Sequence, residues 1–204
     1  MTQSNRFPED FEKLASLDFA NDKSKLIWSY IIRLIGVIVF AVIFALIAKW
    51  FHPDIIFQKD AFLNIALKNS SRWFSIILII CDVLLVLYLH ELIHASVFYF
   101  SVGAKPKIGI RGPIIYAAAP DFQNKRNMMI VNALAPFTII SILGLILMAV
   151  LPTSVLPWIF IPAVVNAASS GGDFMAVAWL LKLDKDVVLE DDGDVLTAYR
   201  KIIS

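Results

Sequence analysis

The sequence predicts an all-α integral membrane protein of about four transmembrane helices, with a small cytoplasmic β-hairpin between the second and third. Three observations predict it. Of 204 residues, 59% are hydrophobic, the mean hydropathy is +0.75, and the charges gather in an N-terminal segment, two loops and a tail, leaving long apolar runs between them. The expected organisation is a polar cytoplasmic segment over residues 1–25, a membrane domain over 26–181 with spans at about 31–50, 73–100, 128–151 and 156–181, and a cytoplasmic tail over 182–204.

The first segment carries Arg6, Pro8, Glu9, Asp10, Lys13, Asp18, Asp22, Lys23 and Lys25. That is longer than the basic leader of a cleaved signal peptide, so the first hydrophobic segment is expected to stay attached. Span one is free of charge from Leu34 to Ala48 and extends back past Arg33, which can snorkel towards an interface. Span two runs from Trp73 to Phe100 and is interrupted only by Asp82 and the run His90-Glu91-Leu92-Ile93-His94.

Beyond it, Lys107 to Arg111, then Gly112-Pro113, then Ile114 to Tyr116 read as two short extended pieces about a turn. Span three covers Met128 to Leu151. Span four, Leu156 to Leu181, is irregular: Pro157 and Pro162 lie near its start, and Ser169-Ser170-Gly171-Gly172 interrupts it just before Asp173. Broken helix at membrane depth is tolerated where it lines a site.

Lysine and arginine placement gives the orientation. Arg6, Lys13, Lys23 and Lys25 precede span one; Lys105, Lys107, Arg111, Lys125 and Arg126 separate spans two and three; Lys182, Lys185, Arg200 and Lys201 follow span four. These segments are expected to be cytoplasmic. The loop after span one has fewer (Lys59, Lys68 and Arg72, with Lys49 at its border), and Pro152 to Pro157 has none, so both should face outside.

Composition also excludes some functions. A net charge of +1 with no basic patch gives no footprint for nucleic acid. Cys81, the sole cysteine, lies in an apolar run and reads as packing, with no internal disulfide and no thiolate cluster for a metal.

Histidines four apart on a helix project from one face, so His90 and His94 can both ligate one zinc through neutral imidazole, with Glu91 beside the metal. Zinc acidifies a water and polarises a carbonyl, while the glutamate moves the proton to the leaving amine; peptide hydrolysis is the matching reaction. A single histidine in a membrane helix more often bonds a neighbouring helix. Here two histidines and a glutamate share an apolar span where each uncompensated ionisable group costs roughly 2.5 kcal/mol or more, a cost a metal offsets.

A catalytic zinc takes three protein ligands, and the spans offer Asp82 and Asp173 as the third. Asp82 lies eight residues before His90 on the same helix, about 12 Å along its axis, too far to share a metal. Asp173 lies as far below the start of its span as His90 does below Trp73, about 25 Å in each case, so the depths agree. Asp173 is therefore the expected third ligand, the alternative being a helix cap or packing acid. Gly171 and Gly172 would let backbone approach metal or substrate closely, and Asn166 can either bond a substrate carbonyl or join two helices.

At these residues the chain resembles the zincin peptidases of bacterial membranes that are related to the site-2 proteases. The resemblance covers roughly Leu84 to Lys182 and rests on His90-Glu-Leu-Ile-His-Ala95 in a hydrophobic helix, a Lys- and Gly-containing loop ending near Tyr116 and Pro120, a further apolar span, and Asn166 followed by Ser170-Gly-Gly-Asp173. In site-2 proteases the third ligand is an aspartate within Leu-Asp-Gly in a later membrane helix; here Gly172-Asp173-Phe174 stands in its place. The resemblance implies a bacterial plasma-membrane location, Asp173 as ligand, Asn166 as a substrate contact, and an extended segment over Lys107 to Tyr116 that presents substrate.

The leading expectation is a zinc endopeptidase with one zinc per chain, held by His90, His94 and Asp173, with Glu91 as general base and Asn166, Gly171 and Gly172 contacting substrate. Its partners are the lipid bilayer and a membrane-protein or peptide substrate. The alternative is a non-catalytic membrane scaffold or chaperone that retains the metal site. A metal transporter is disfavoured, because four spans show no inverted halves and no line of acidic residues and histidines across the membrane.

Overall fold

The structure is a computed structural model in which residues 10–19, 21–57, 72–103, 107–111, 114–193 and 195–202 are described. In chain order the elements are β1 (Phe11–Asp18), α1 (Lys23–Phe51), α2 (Arg72–Val102), β2 (Lys107–Arg111), β3 (Ile114–Lys125), α3 (Arg126–Val150), a 3-10 turn (Thr153–Val155), α4 (Leu156–Ser169), α5 (Gly171–Leu180), β4 (Val188–Asp191) and β5 (Val195–Lys201).

Among the described residues, four segments are long and apolar enough to cross a membrane: Lys23–Phe51, Trp73–Ser101, Arg126–Val150 and Thr153–Leu180. A helix satisfies every backbone group within itself, which is why an apolar segment in lipid takes this form. Leu34, Ile38 and Leu46 of α1, Leu84 and Leu85 of α2, and Ile139, Ile142 and Leu143 of α3 are exposed, and hydrocarbon is the environment that makes such surfaces favourable. The fourth segment is the inner one, with 56% of its most apolar stretch buried against 11% for each of the first two.

The described residues are mostly helical, and the sheet that accompanies the helices is larger than the expected hairpin. The segments before α1 and after α5 form strands, and together with β2 and β3 they make one five-stranded antiparallel sheet of order β1-β5-β4-β3-β2. β1 pairs with β5 from Phe11↔Lys201 to Asp18↔Val195, and β2 pairs with β3 from Lys107↔Ala118 to Arg111↔Ile114. The β4–β5 turn places Gly193 at φ 88°, a conformation that suits glycine, and its N–H donates to Asp191 Oδ1 at 2.7 Å.

Residues divide into two compact units: Met1–Ser29, Glu91–Ala135 and Gly172–Ser204 form one, Tyr30–His90 and Pro136–Gly171 the other. The division passes through α2 between His90 and Glu91 and through α3 between Ala135 and Pro136, helices that are themselves continuous. The first unit holds the sheet and a core of Leu17, Phe98, Met129, Leu180, Val187, Leu189, Leu196 and Ala198.

The second unit has its own core of Phe44, Ala48, Ile55, Met148, Leu156, Ala163, Val164 and Ala167. Small residues let its helices approach: a Cβ on Gly36 would lie 3.2 Å from Ala168 Cα, and one on Gly144 would lie 3.2 Å from Ala163 Cβ. His52, the third histidine, bonds the Met148 carbonyl at 2.7 Å and ties the end of α1 to that of α3.

Candidate metal centre

His90, Glu91 and His94 lie within one continuous helix, α2, whose 3.6-residue period brings the two imidazoles to one face a turn apart. Asp173 comes from the first turn of α5. The helix break foreseen at Ser169 to Gly172 is present as a single turn at Ser170: α4 ends there, and the Asn166 carbonyl accepts from Ser169 Oγ at 2.8 Å and from the Ser170 N–H at 3.2 Å. Chain direction thus restarts two residues before Asp173, which sits at the positive end of a new helix dipole.

His94 Nε2 lies 3.6 Å from Asp173 Oδ1. One ligand atom from each of His90, His94 and Asp173 falls within 4.8 Å of the others, a group that can hold a metal ion. Asp82, on the same helix, does not belong to this group.

Hydrogen bonds define which nitrogen each histidine offers. His94 Nδ1 is 3.0 Å from the Asn132 main-chain carbonyl, an atom that only accepts, so Nδ1 carries the proton and Nε2 is the lone-pair nitrogen on the side of Asp173. His90 Nδ1 is 2.9 Å from Asn166 Oδ1, and Asn166 Nδ2 makes a long 3.5 Å bond to the Pro136 carbonyl, which orients the amide with its oxygen towards the ring. Both imidazoles therefore present Nε2 with Nδ1 fixed by a protein acceptor, as a metal-ligating histidine requires. By donor set and by tautomer, these residues fit a zinc ion.

The remaining expected site residues fall as follows. Glu91 is half-buried. Asn166 is completely buried against His90. Gly171 faces α1, where an added Cβ would meet Arg33 Cγ at 2.9 Å and the Arg33 backbone nitrogen at 3.1 Å. Gly172 lies in the first turn of α5, next to Asp173.

Three participants were not singled out in the sequence. Asn132 and Pro136 act on the histidines through main-chain carbonyls, and their only signal is a proline in the middle of span three. Asp191 of β4 is the third: burial pushes its carboxyl from 3.8 up to about 7, the Gly193 N–H opposes the rise, and the charges of Asp192, Asp173 and Glu91 add to it. Its acidic neighbours in the tail masked it.

Among the described residues, the fold and site combine four helices long and apolar enough to cross a membrane with a two-histidine, one-aspartate group that could hold a metal ion. Residues 83–188 match the family model described as "Putative zincin peptidase", and the chain belongs to that family, a description of zinc metallopeptidases. No curated protein matches the chain. No solved structure matches it either.

Proposed function

We propose that the chain is a membrane-embedded zinc metallopeptidase that hydrolyses peptide bonds of membrane or membrane-proximal proteins. The observation that carries this reading is the convergence of His90, His94 and Asp173 within 4.8 Å inside apolar helices, in a chain of the zincin family.

His90, His94 and Asp173 hold the ion. Bound zinc would supply Lewis acidity to a water molecule and to the scissile carbonyl. Glu91, next to His90 on α2, takes the proton from the attacking water as its oxygen adds to the carbonyl carbon, and delivers it to the amine nitrogen as the C–N bond breaks. Asn166 acts through His90 by holding its Nδ1 proton, a role supported by its complete burial and its bond to that ring. Gly171 serves the packing of α1, and Gly172, in the first turn of α5 next to Asp173, carries no side chain where substrate would approach.

An extended substrate adds to the edge strand β2, which stands last in the sheet order. The positively charged segments, which include both termini and the loop between spans two and three, face the cytoplasm.

Zinc content per chain of detergent-purified protein tests the reading. About one zinc is expected in the wild type, lost or weakened in His94→Ala and Asp173→Ala, while Glu91→Gln keeps the metal and loses hydrolysis. No zinc after metal-replete purification sinks the proposal. Intact cellular function in Glu91→Gln favours the scaffold.

A further inference from the structure

Helix α3 carries a proline in its interior, Pro136, with a fully buried side chain. Proline has no N–H, so the carbonyl four residues earlier loses its helical partner. That carbonyl belongs to Asn132, and it is the one His94 Nδ1 reaches at 3.0 Å. In an uninterrupted helix the amide of residue 136 would occupy this oxygen, and the ring would compete for it.

A proline inside a membrane helix is tolerated where a neighbour satisfies the carbonyl it frees. Here the neighbour is a histidine of the candidate metal group. The same proline contributes its own carbonyl as acceptor for Asn166 Nδ2 at 3.5 Å, so that Asn166 Oδ1 turns to His90 Nδ1. One residue thereby touches the hydrogen bonding of both imidazoles without contacting the metal position.

We propose that Pro136 is a positioning residue of the metal site: by leaving the Asn132 carbonyl without its helical amide, it creates the acceptor that holds His94 with Nδ1 protonated and Nε2 facing Asp173. The inference rests on the reading of His94 as a metal ligand, but its first consequence, the tautomer of His94, exists without metal. Pro136→Ala restores an amide that competes for the Asn132 oxygen, draws the carbonyl back into the helical ladder and releases the ring.

The full chain in detergent, metal-free and labelled with nitrogen-15 at histidine, tests this by nuclear magnetic resonance, the His94 signal being assigned by its loss in His94→Gln. The expected result is a wild-type His94 protonated on Nδ1, with the proton shifted towards Nε2 in Pro136→Ala. Cobalt(II) added as the metal probe should bind Pro136→Ala about 10-fold more weakly than wild type, with an altered visible absorption, because loss of an outer-shell partner typically weakens metal binding by about 10- to 100-fold. Pro162→Ala, which removes a proline from inside α4, should change neither reading.

A wild-type His94 protonated on Nε2, or a Pro136→Ala protein with the wild-type tautomer and cobalt affinity, overturns the inference. If Pro136→Ala does not fold, the wild-type tautomer decides. A wild type that takes up no cobalt overturns the metal reading instead, and the tautomer comparison still decides the role of Pro136.

Discussion

Asn166 Oδ1 lies 2.9 Å from His90 Nδ1, with the asparagine wholly excluded from solvent. A buried amide oxygen of this kind fixes the ring's tautomer and orientation, and its removal strands a buried N–H. Asn166→Ala should therefore weaken zinc binding by about 10- to 100-fold, read by competition with a chromogenic chelator. Asn166→Asp, which keeps an acceptor at the same place, should recover most of that loss. Equal affinity in wild type and Asn166→Ala would show that the bond does nothing for the metal.

Gly171 is held between helices, and its missing side chain is what lets α1 come close. A Cβ there would stand 3.1 Å from the Arg33 backbone nitrogen, which cannot swing aside as a flexible side chain can. Gly171→Ala should destabilise the protein by about 1 to 3 kcal/mol through overpacking, seen as a lowered thermal midpoint in detergent. An unchanged midpoint would mean that α1 shifts freely at this contact.

Asp191 makes stability depend on pH. Its folded-state carboxyl is raised from 3.8 to about 7, by burial first and by the charges of Asp192, Asp173 and Glu91 after it. Between those two values the folded protein holds a proton that the unfolded chain has released, so this group's contribution is greatest below pH 3.8 and falls as pH rises to about 7. Thermal unfolding of the metal-free protein across that range should show the decline, and Asp191→Asn should flatten it. A slope identical in the two proteins would remove Asp191 as its source.

The helices and the heart of the site were legible because each rests on side-chain type at short range. Apolar runs of about twenty residues name spans, His90 and His94 name a helix face, and Ser169 to Gly172 name the break before Asp173. The sheet was not legible. β1 and β5 pair residues as remote as Phe11 and Lys201, and both strands are charged enough to read as solvated tails. The Asn132 acceptor was hidden for another reason: it is a main-chain oxygen, and only the proline four residues later distinguishes it from any other carbonyl in the span. Asn166 was visible as a residue but not in its partner, since its distance to His90 depends on how two helices meet.

The five-stranded sheet also sets an arithmetic rule of parity on the topology. Backbone ladders cannot be shared through hydrocarbon, so strands of one sheet would all lie on one side of any bilayer that the apolar helices cross. β1 precedes the first span, β2 and β3 lie between the second and third, and β4 and β5 follow the fourth. Each successive group is then separated by two helices long and apolar enough to cross a membrane, an even number that would keep the sheet whole on one side. For a chain whose four apolar helices cross a bilayer, that pairing reduces the side of every strand group to one binary choice, on which the distribution of lysine and arginine then acts.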